Sequence, residues 1–250
     1  MSKNINAASR LHTILSQTVG MSTSATSLAI WENVFQIQGE ANDARKALII
    51  SERLRWLHQE LEIARSQMGQ ANISENLYTA AFNNIEQALS TLLLSTTWNN
   101  GAQYLKPETL VALEFCSEIL PDEESLIESE TLDEIRSMVQ ELESLLEKTN
   151  LPESLITLIL HHIELINRAL DQYPVIGAMA LREAARSAIG ELIEANEAVK
   201  ANSGSEEVSQ LGKIWTKLNN AADIAIKADK ISQIGTKAWA YLEHIVNSIP

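Results

Sequence analysis

The sequence is poor in the residue types that crosslink or break a chain. Its 250 residues include one cysteine, nine glycines and five prolines. The single cysteine, Cys116, excludes an intramolecular disulfide and lies among apolar neighbours in the stretch ALEFCSEIL, where a small buried thiol is usual. Because a chain without disulfides fits a reducing compartment, we expect a cytoplasmic protein.

Long apolar runs and an excess of positive charge are also missing. The first residues, MSKNINAASRLHTILSQ, lack the apolar core and cleavage site of a signal peptide, and nowhere do about 18 uncharged apolar residues follow one another. With 33 acidic against 19 basic residues, the formal net charge of −14 repels phosphate backbones. We therefore expect neither a membrane-spanning segment nor nucleic acid as a general partner.

The pattern of apolar residues predicts an all-α fold. These residues make up 45% of the chain and recur at intervals of three and four, without the alternation that is typical of strands. We expect a single multi-helix domain of roughly eight to ten helices with antiparallel packing. An acidic stretch that starts at Pro121 separates two predicted lobes, residues 1–120 and 121–250, which together form one continuous domain.

Two capping patterns predict where later helices begin. Thr131 with Glu134, and Asn150 with Glu153, each place a short polar side chain three residues before a carboxylate. Such a pair satisfies the free amides of a first helical turn. The sequence therefore predicts two helices, from about Thr131 to Lys148 and from about Pro152 to Gln172, joined by a short turn.

The stretch YPVIGAMALREAARSAIGEL, from Tyr173 to Leu192, predicts an elbow between two helices. Pro174 lacks an amide donor and has a fixed φ, so a helix is expected to stop or kink near Gln172. After the elbow, small residues recur at three or four and allow another helix to approach closely. This strip consists of Gly177, Ala180, Ala184 and Ala188.

The same stretch offers a second interpretation, an anion site. Arg182 and Arg186 are four residues apart and could hold a phosphate or carboxylate at the new helix N-terminus. Glu183, Glu191 and Glu194 stand nearby and can pair with the two arginines instead. We favour close packing over anion binding here.

A pair of metal-ligating residue types occurs in LILHHIELI. His161 and Glu164 are three residues apart and can share a helix face, which makes them candidate metal ligands. His162 falls on an apolar stripe instead and is expected in the core. Since a second ligand pair is not visible, we predict no metal and no cofactor.

The six residues RLRWLH, from Arg53 to His58, resemble a catalytic motif. They are similar to the signature of the HEPN ribonucleases, an Arg and a His separated by about four to six residues. The resemblance implies an all-α, often dimeric protein that cleaves RNA with Arg53 and His58. These residues also lie in a long amphipathic helix that we predict from Asn42 or Asp43 to about Met68, and its heptads explain them equally.

The most sustained apolar pattern runs from Ala221 to Ile249 in steps of three and four. It predicts a helix covered by the chain's own body, by a protein partner or by a second copy. Five lysines within residues 211–250, with Trp215 and Trp239, keep a membrane surface open as a third possibility. The candidate interface residues are Ile224, Ile231, Gly235, Ala238, Trp239, Leu242 and Ile245.

Three functions follow from these features. We favour a non-catalytic all-helical protein that interacts with a protein partner or forms a homo-oligomer, and a component of a bacterial toxin or defence-type system would fit this class. One alternative is a HEPN-like ribonuclease that uses Arg53 and His58. The other is an effector that associates with membranes through the amphipathic segment within residues 211–250.

Overall fold

The structure is a computed structural model that describes residues 4–227. Within these residues the chain forms eleven α-helices, nine of them with seven or more residues, and two 3-10 turns, and no strand. The all-α prediction is therefore confirmed.

Two compact units divide the chain between Glu123 and Glu124. The first contains α1 (Ala7–Ser16), α2 (Ser27–Val34), α3 (Asp43–Gln70), α4 (Thr79–Ala88), α5 (Asn99–Ala102), α6 (Pro107–Ile119) and the 3-10 turns Glu75–Leu77 and Thr91–Leu93. The second contains α7 (Ser129–Leu146), α8 (Glu153–Ile176), α9 (Ala178–Glu194), α10 (Asn196–Ala201) and α11 (Glu206–Ala225). The predicted lobe boundary lies three residues before this division.

In the first unit, α1 packs against both α3 and α6. Asn6 begins α1 with a capping box, in which its side chain accepts a hydrogen bond from the Ser9 amide. The Asn6 amide group also donates to the carbonyl oxygens of Ser117 and Leu120. One buried side chain therefore both starts α1 and fastens it to the end of α6.

The long helix α3 starts where the sequence predicts. The Asn42 side chain accepts hydrogen bonds from the amides of Ala44 and Arg45, as an N-cap does. The predicted end near Met68 is two residues short, because the chain leaves the helix only at Ala71, in an extended conformation.

Neither predicted capping residue in the second unit caps a helix, although both helices begin within about two residues of the predicted starts. The helix α7 begins two residues before Thr131, directly after Glu128, and α8 begins at Glu153, directly after Pro152. Pro152 has an extended backbone, and its missing amide suits a helix start, so it displaces Asn150 from that role. In α7 the first turn is exposed, and its amides can bind water instead of a side-chain cap.

The elbow lies at Gly177 rather than at Pro174. The helix α8 continues through Pro174 to Ile176, and Gly177 alone separates it from α9, with φ 72° and ψ −161°. The prediction that the helix stops at Pro174 is wrong: the proline removes a single i→i−4 hydrogen bond, and α8 continues past it. The positive φ of Gly177, which few residues other than glycine adopt, breaks the helix instead.

The small residues after the elbow fall into two groups. Ala180 and Ala188 are buried as the sequence predicts, whereas Ala184 is only partly buried and Ala185 takes the core position beside it. Ala188 is fully buried in the core that α8 and α9 share.

We expect Ala188→Leu to lower the free energy of unfolding by about 1–3 kcal/mol, because extra methylenes in a filled core force neighbours to move. Ala184→Leu makes the same change at a partly exposed position and should cost less. Urea unfolding of the two variants measures both effects. An equal or larger loss for Ala184→Leu would contradict the observed burial.

The core of the second unit is formed by α7, α8, α9 and α11. Its fully buried members include Ile135, Leu142, Ile159, Ile166, Leu181, Ile214 and Leu218. The helix α11 ends at Ala225, and Ile226 follows with an extended backbone, φ −76° and ψ 119°. Within the described residues, the helix predicted from Ala221 to Ile249 therefore ends at Ala225, and Ile226 forms a β-bridge with Glu124. The rest of that predicted helix lies outside the described residues, and so do the candidate interface residues Ile231, Gly235, Ala238, Trp239, Leu242 and Ile245. None of the helices within residues 4–227 has both the length and the apolar character to cross a membrane.

Candidate functional site

A groove with a volume of about 640 Å³ opens on the second unit. It lies between residues 125–128, the first turn of α7 and one side of α11. Its volume falls within the range of small-molecule and peptide sites in proteins. Among the residues that line it are Leu126, Ile127, Thr131, Thr216, Ala221 and Ile224.

Two large aliphatic side chains at this groove face solvent. Leu126 is 77% exposed and Ile224 is 83% exposed. Single exposed aliphatic residues are common, but two that line one concave surface are typical of a site that a partner covers. The sequence predicts Ile224 as an interface residue, and the structure places it at this groove.

The polar side chains of the groove lie mainly on α11. Lys213 is exposed, and Lys217 forms an ion pair with Glu134 of α7. The Thr216 hydroxyl donates to the carbonyl oxygen of Gly212 in its own helix. Because Glu128 also lines the groove, its polar side chains carry both signs of charge beside the apolar ones, an arrangement that can bind an amphipathic segment.

The wall formed by residues 125–128 is held at both ends. The Ser125 amide donates to the Ala225 carbonyl oxygen over 2.7 Å, at the end of α11. The Ile127 amide donates to the Tyr173 hydroxyl oxygen over 2.9 Å, on α8. Such fixed backbone contacts mean that a ligand need not order this wall when it binds.

The N-terminus of α9 is occupied by a carboxylate from the chain itself. Glu124 is buried, and its Oε2 accepts a hydrogen bond of 2.6 Å from the Ala178 amide. An anion at this position is favoured by the helix dipole and by free amides. The first amide of α9 therefore already binds a carboxylate of the chain itself.

The two candidate anion ligands are separated by their environments. Arg182 is buried, and its Nη2 donates to Oδ1 of Asp223 on α11 over 2.9 Å. Arg186 is exposed, so the structure does not bring the two guanidinium groups together on one ligand. The sequence predicts glutamates of the same helix as partners, but the observed partner of Arg182, Asp223, lies on α11.

The candidate metal ligands are also apart. His161 Nε2 lies 3.1 Å from Oε2 of Glu191 on α9, while Glu164 is exposed. Within the part of the chain that the structure describes, no group of three or more His, Cys, Asp or Glu side chains could hold a metal ion. His161 thus contributes a contact between α8 and α9.

The neighbouring His162 is fully buried and forms a contact that sequence reasoning missed. Its Nδ1 accepts a hydrogen bond of 3.1 Å from the indole Nε1 of Trp215, and its Nε2 lies 3.6 Å from Glu191 Oε2. Burial lowers the pKa of His162 from 6.5 to about 4, against the opposing effect of Glu191. The apolar stripe on α8 predicted the burial of His162, but the Trp215 contact has no local signal.

The two candidate ribonuclease residues lie on different sides of α3. Arg53 Nη1 donates to the Phe35 carbonyl oxygen over 2.6 Å, and its guanidinium lies 5.6 Å from the centre of the Phe35 ring. His58 is exposed five residues along the same helix, about 140° around its axis. Arg53 therefore fixes the end of α2 to α3, and α3 does not present both side chains on one face.

A second polar cluster, in the first unit, was also missed. Arg10 Nη2 lies 2.7 Å from Glu60 Oε2 and 2.9 Å from Glu123 Oε2. Gln67 donates to the other Glu123 oxygen over 2.8 Å. These residues come from α1, α3 and the end of the unit, so the cluster ties together segments that are distant in sequence.

Comparisons with known proteins do not extend this description. No protein-family model, curated protein or solved structure matches the chain. The interpretation of the groove therefore depends on its own geometry and chemistry.

Proposed function

We propose that the protein is a non-catalytic, all-helical interaction protein that binds an apolar segment of another polypeptide in the groove beside α11. The observation that supports this most directly is the exposure of Leu126 and Ile224 at the same concave surface. Covering these two side chains would remove apolar area from water, which favours association.

The shape of the groove favours a helical segment as the ligand. Along α11 the lining residues extend from Lys213 to Ala225, a rise of roughly 18 Å at the usual 1.5 Å per residue. This length accommodates about three turns of a partner helix, in the recognition mode where an amphipathic helix lies in an apolar groove. Lys213 at the margin favours acidic residues on the polar side of such a partner.

A cytoplasmic location is part of the proposal. It is supported by Cys116, the single cysteine, which is free and buried in the first unit. Burial raises the pKa of its thiol to about 11, which keeps the thiol in its unreactive protonated form.

The proposal predicts that Ile224→Asp in the full chain lowers the recovery of a bound partner at least about tenfold, which corresponds to about 1.4 kcal/mol of binding free energy. A ligand that covers position 224 would have to remove water from the new carboxylate, which costs free energy. Quantitative affinity enrichment from the native cell measures the loss. Because Ile224 is 83% exposed, the melting temperature should stay within a few degrees of wild type.

Leu160→Asp is the matched control for this experiment. Leu160 is an exposed aliphatic residue of α8, 47% exposed, and does not line the groove. We expect this variant to retain the partner. Equal recovery with both variants, or equal loss, would contradict binding at the groove.

A further inference from the structure

The described chain ends beside the groove. Ala225 lines the groove, and Ile226 is fastened to Glu124 at the start of the wall. Lys227 is the last residue that the structure describes. The segment that begins at residue 228 therefore follows, after two residues, a residue that lines the groove.

The sequence of residues 228–250 has the composition of a ligand for such a groove. Its aliphatic residues recur at three and four, a pattern that predicts an amphipathic helix with one apolar face. Its two lysines and two acidic residues balance, so its side chains bring no net charge to the groove. The residues of the apolar face are Ile231, Ile234, Ala238, Leu242 and Ile245.

We infer that residues 228–250 bind in the groove of the same chain and compete there with the external segment. This inference rests on the proposed function of the groove, to which it adds a regulatory ligand. Four residues, 227–230, can span at most about 14 Å, enough to turn back from the end of α11.

The short connection favours residues 228–250 of the same chain over those of a second copy as the ligand. A ligand tethered by a few residues has an effective concentration in the millimolar range. A second copy at micromolar concentration would have to bind about a thousandfold more tightly to displace it. An external partner must overcome the same competition, so its apparent affinity reports how firmly residues 228–250 are held.

Disulfide formation in the full chain tests the inference. Thr131→Cys or Thr216→Cys places a thiol in the groove, and Ala238→Cys places one on the apolar face of residues 228–250. Copper phenanthroline in air oxidises the two thiols to a disulfide, and oxygen accepts the two electrons and two protons. We expect an intramolecular disulfide from at least one groove position, formed at a rate independent of protein concentration.

Thr157→Cys with Ala238→Cys is the control pair, because Thr157 is exposed on α8 away from the groove. We expect it to react at least about tenfold more slowly than the faster groove pair. The natural Cys116 is fully buried and can stay in place. Equal rates for the groove and control pairs would overturn the inference, and so would disulfide-linked dimers whose yield rises with concentration.

The inference and the proposed function fail in different ways. If no groove pair forms a disulfide while Ile224→Asp still loses its partner, residues 228–250 are not the ligand and the proposed function stands. If the disulfide forms but Ile224→Asp loses no partner, the groove serves internal packing and the proposed function falls.

Discussion

Replacement of Gly177 by alanine is expected to lower the free energy of unfolding by about 3 kcal/mol or more. The backbone of Gly177, at φ 72° and ψ −161°, lies in a region that is almost exclusive to glycine. A Cβ there would also occupy the space of the buried Glu124 carboxylate, which accepts the Ala178 amide. The substitution therefore combines backbone strain with the loss of a charge-assisted hydrogen bond. Urea unfolding measures the combined loss in the free energy of unfolding.

Gly190→Ala is the matched control in the same helix, α9. Among the described residues nothing lies within 4 Å of a Cβ built at Gly190, so alanine has room. We expect this variant to be stabilised by about 0.5–1 kcal/mol, because glycine is a poor helix former. If Gly177→Ala were as stable as wild type, neither the strain nor the Glu124 contact would matter to the fold.

A shift of pH from about 7 to about 4 is expected to remove about 3 kcal/mol of stability through His162 alone. Burial lowers the pKa of this ring from 6.5 to about 4 in the folded protein, and His161 adds to the shift while Glu191 opposes it. Between these two values the unfolded chain binds a proton that the folded chain does not. The contribution of His162 to the free energy of unfolding is therefore complete above pH 6.5 and is lost as the pH falls towards 4.

The geometry around His162 explains why the folded protein resists protonation. The Trp215 indole donates to Nδ1, so the neutral ring carries its proton on Nε2. A second proton on Nδ1 would place two donors against each other in a buried site. Acid should therefore separate α8 from α11, which this contact joins.

His162→Gln tests this assignment, because a glutamine oxygen can accept the Trp215 hydrogen bond without titrating. Unfolding free energies at a series of pH values should show a slope about one proton smaller than wild type between pH 6.5 and 4. His161→Gln makes the same change at a half-exposed neighbour and should keep the steeper slope. The reverse ranking would assign the acid sensitivity to His161 and contradict the role of His162.

The class of fold could be predicted from the sequence, but the helix ends could be predicted only in part. Asn42 begins α3 as its residue type predicts, whereas Thr131 and Asn150 do not begin helices. A periodic pattern depends on many residues, so one residue that departs from it does not change the predicted helix. A cap depends on one backbone conformation, and a neighbour such as Pro152 can set that conformation first.

The elbow shows a similar limit. The sequence contains both Pro174 and Gly177, and the usual rule gives proline the stronger effect on a helix. A proline, however, removes only one hydrogen bond of the helix, and α8 continues past Pro174. The positive φ of Gly177 changes the direction of the backbone itself, so the chain turns there.

The groove could be predicted only on the side of α11. Ile224 belongs to a periodic pattern that any reading of the sequence detects. The opposite wall depends on contacts between residues far apart, Ser125 with Ala225 and Glu124 with Ala178. Contacts at such separations leave no periodic trace, which is also why the pair His162 and Trp215 was missed.

The contacts of Glu124 and Ser125 make the groove a cooperative element. The last turn of α11 cannot fray unless the hydrogen bond from Ser125 to Ala225 breaks, and the same event frees the wall of the groove. Glu124 carries the effect to the first amide of α9. We therefore expect fraying of α11, opening of the groove and loss of the α9 cap to occur in one local unfolding step, and a ligand bound in the groove to protect two helix ends.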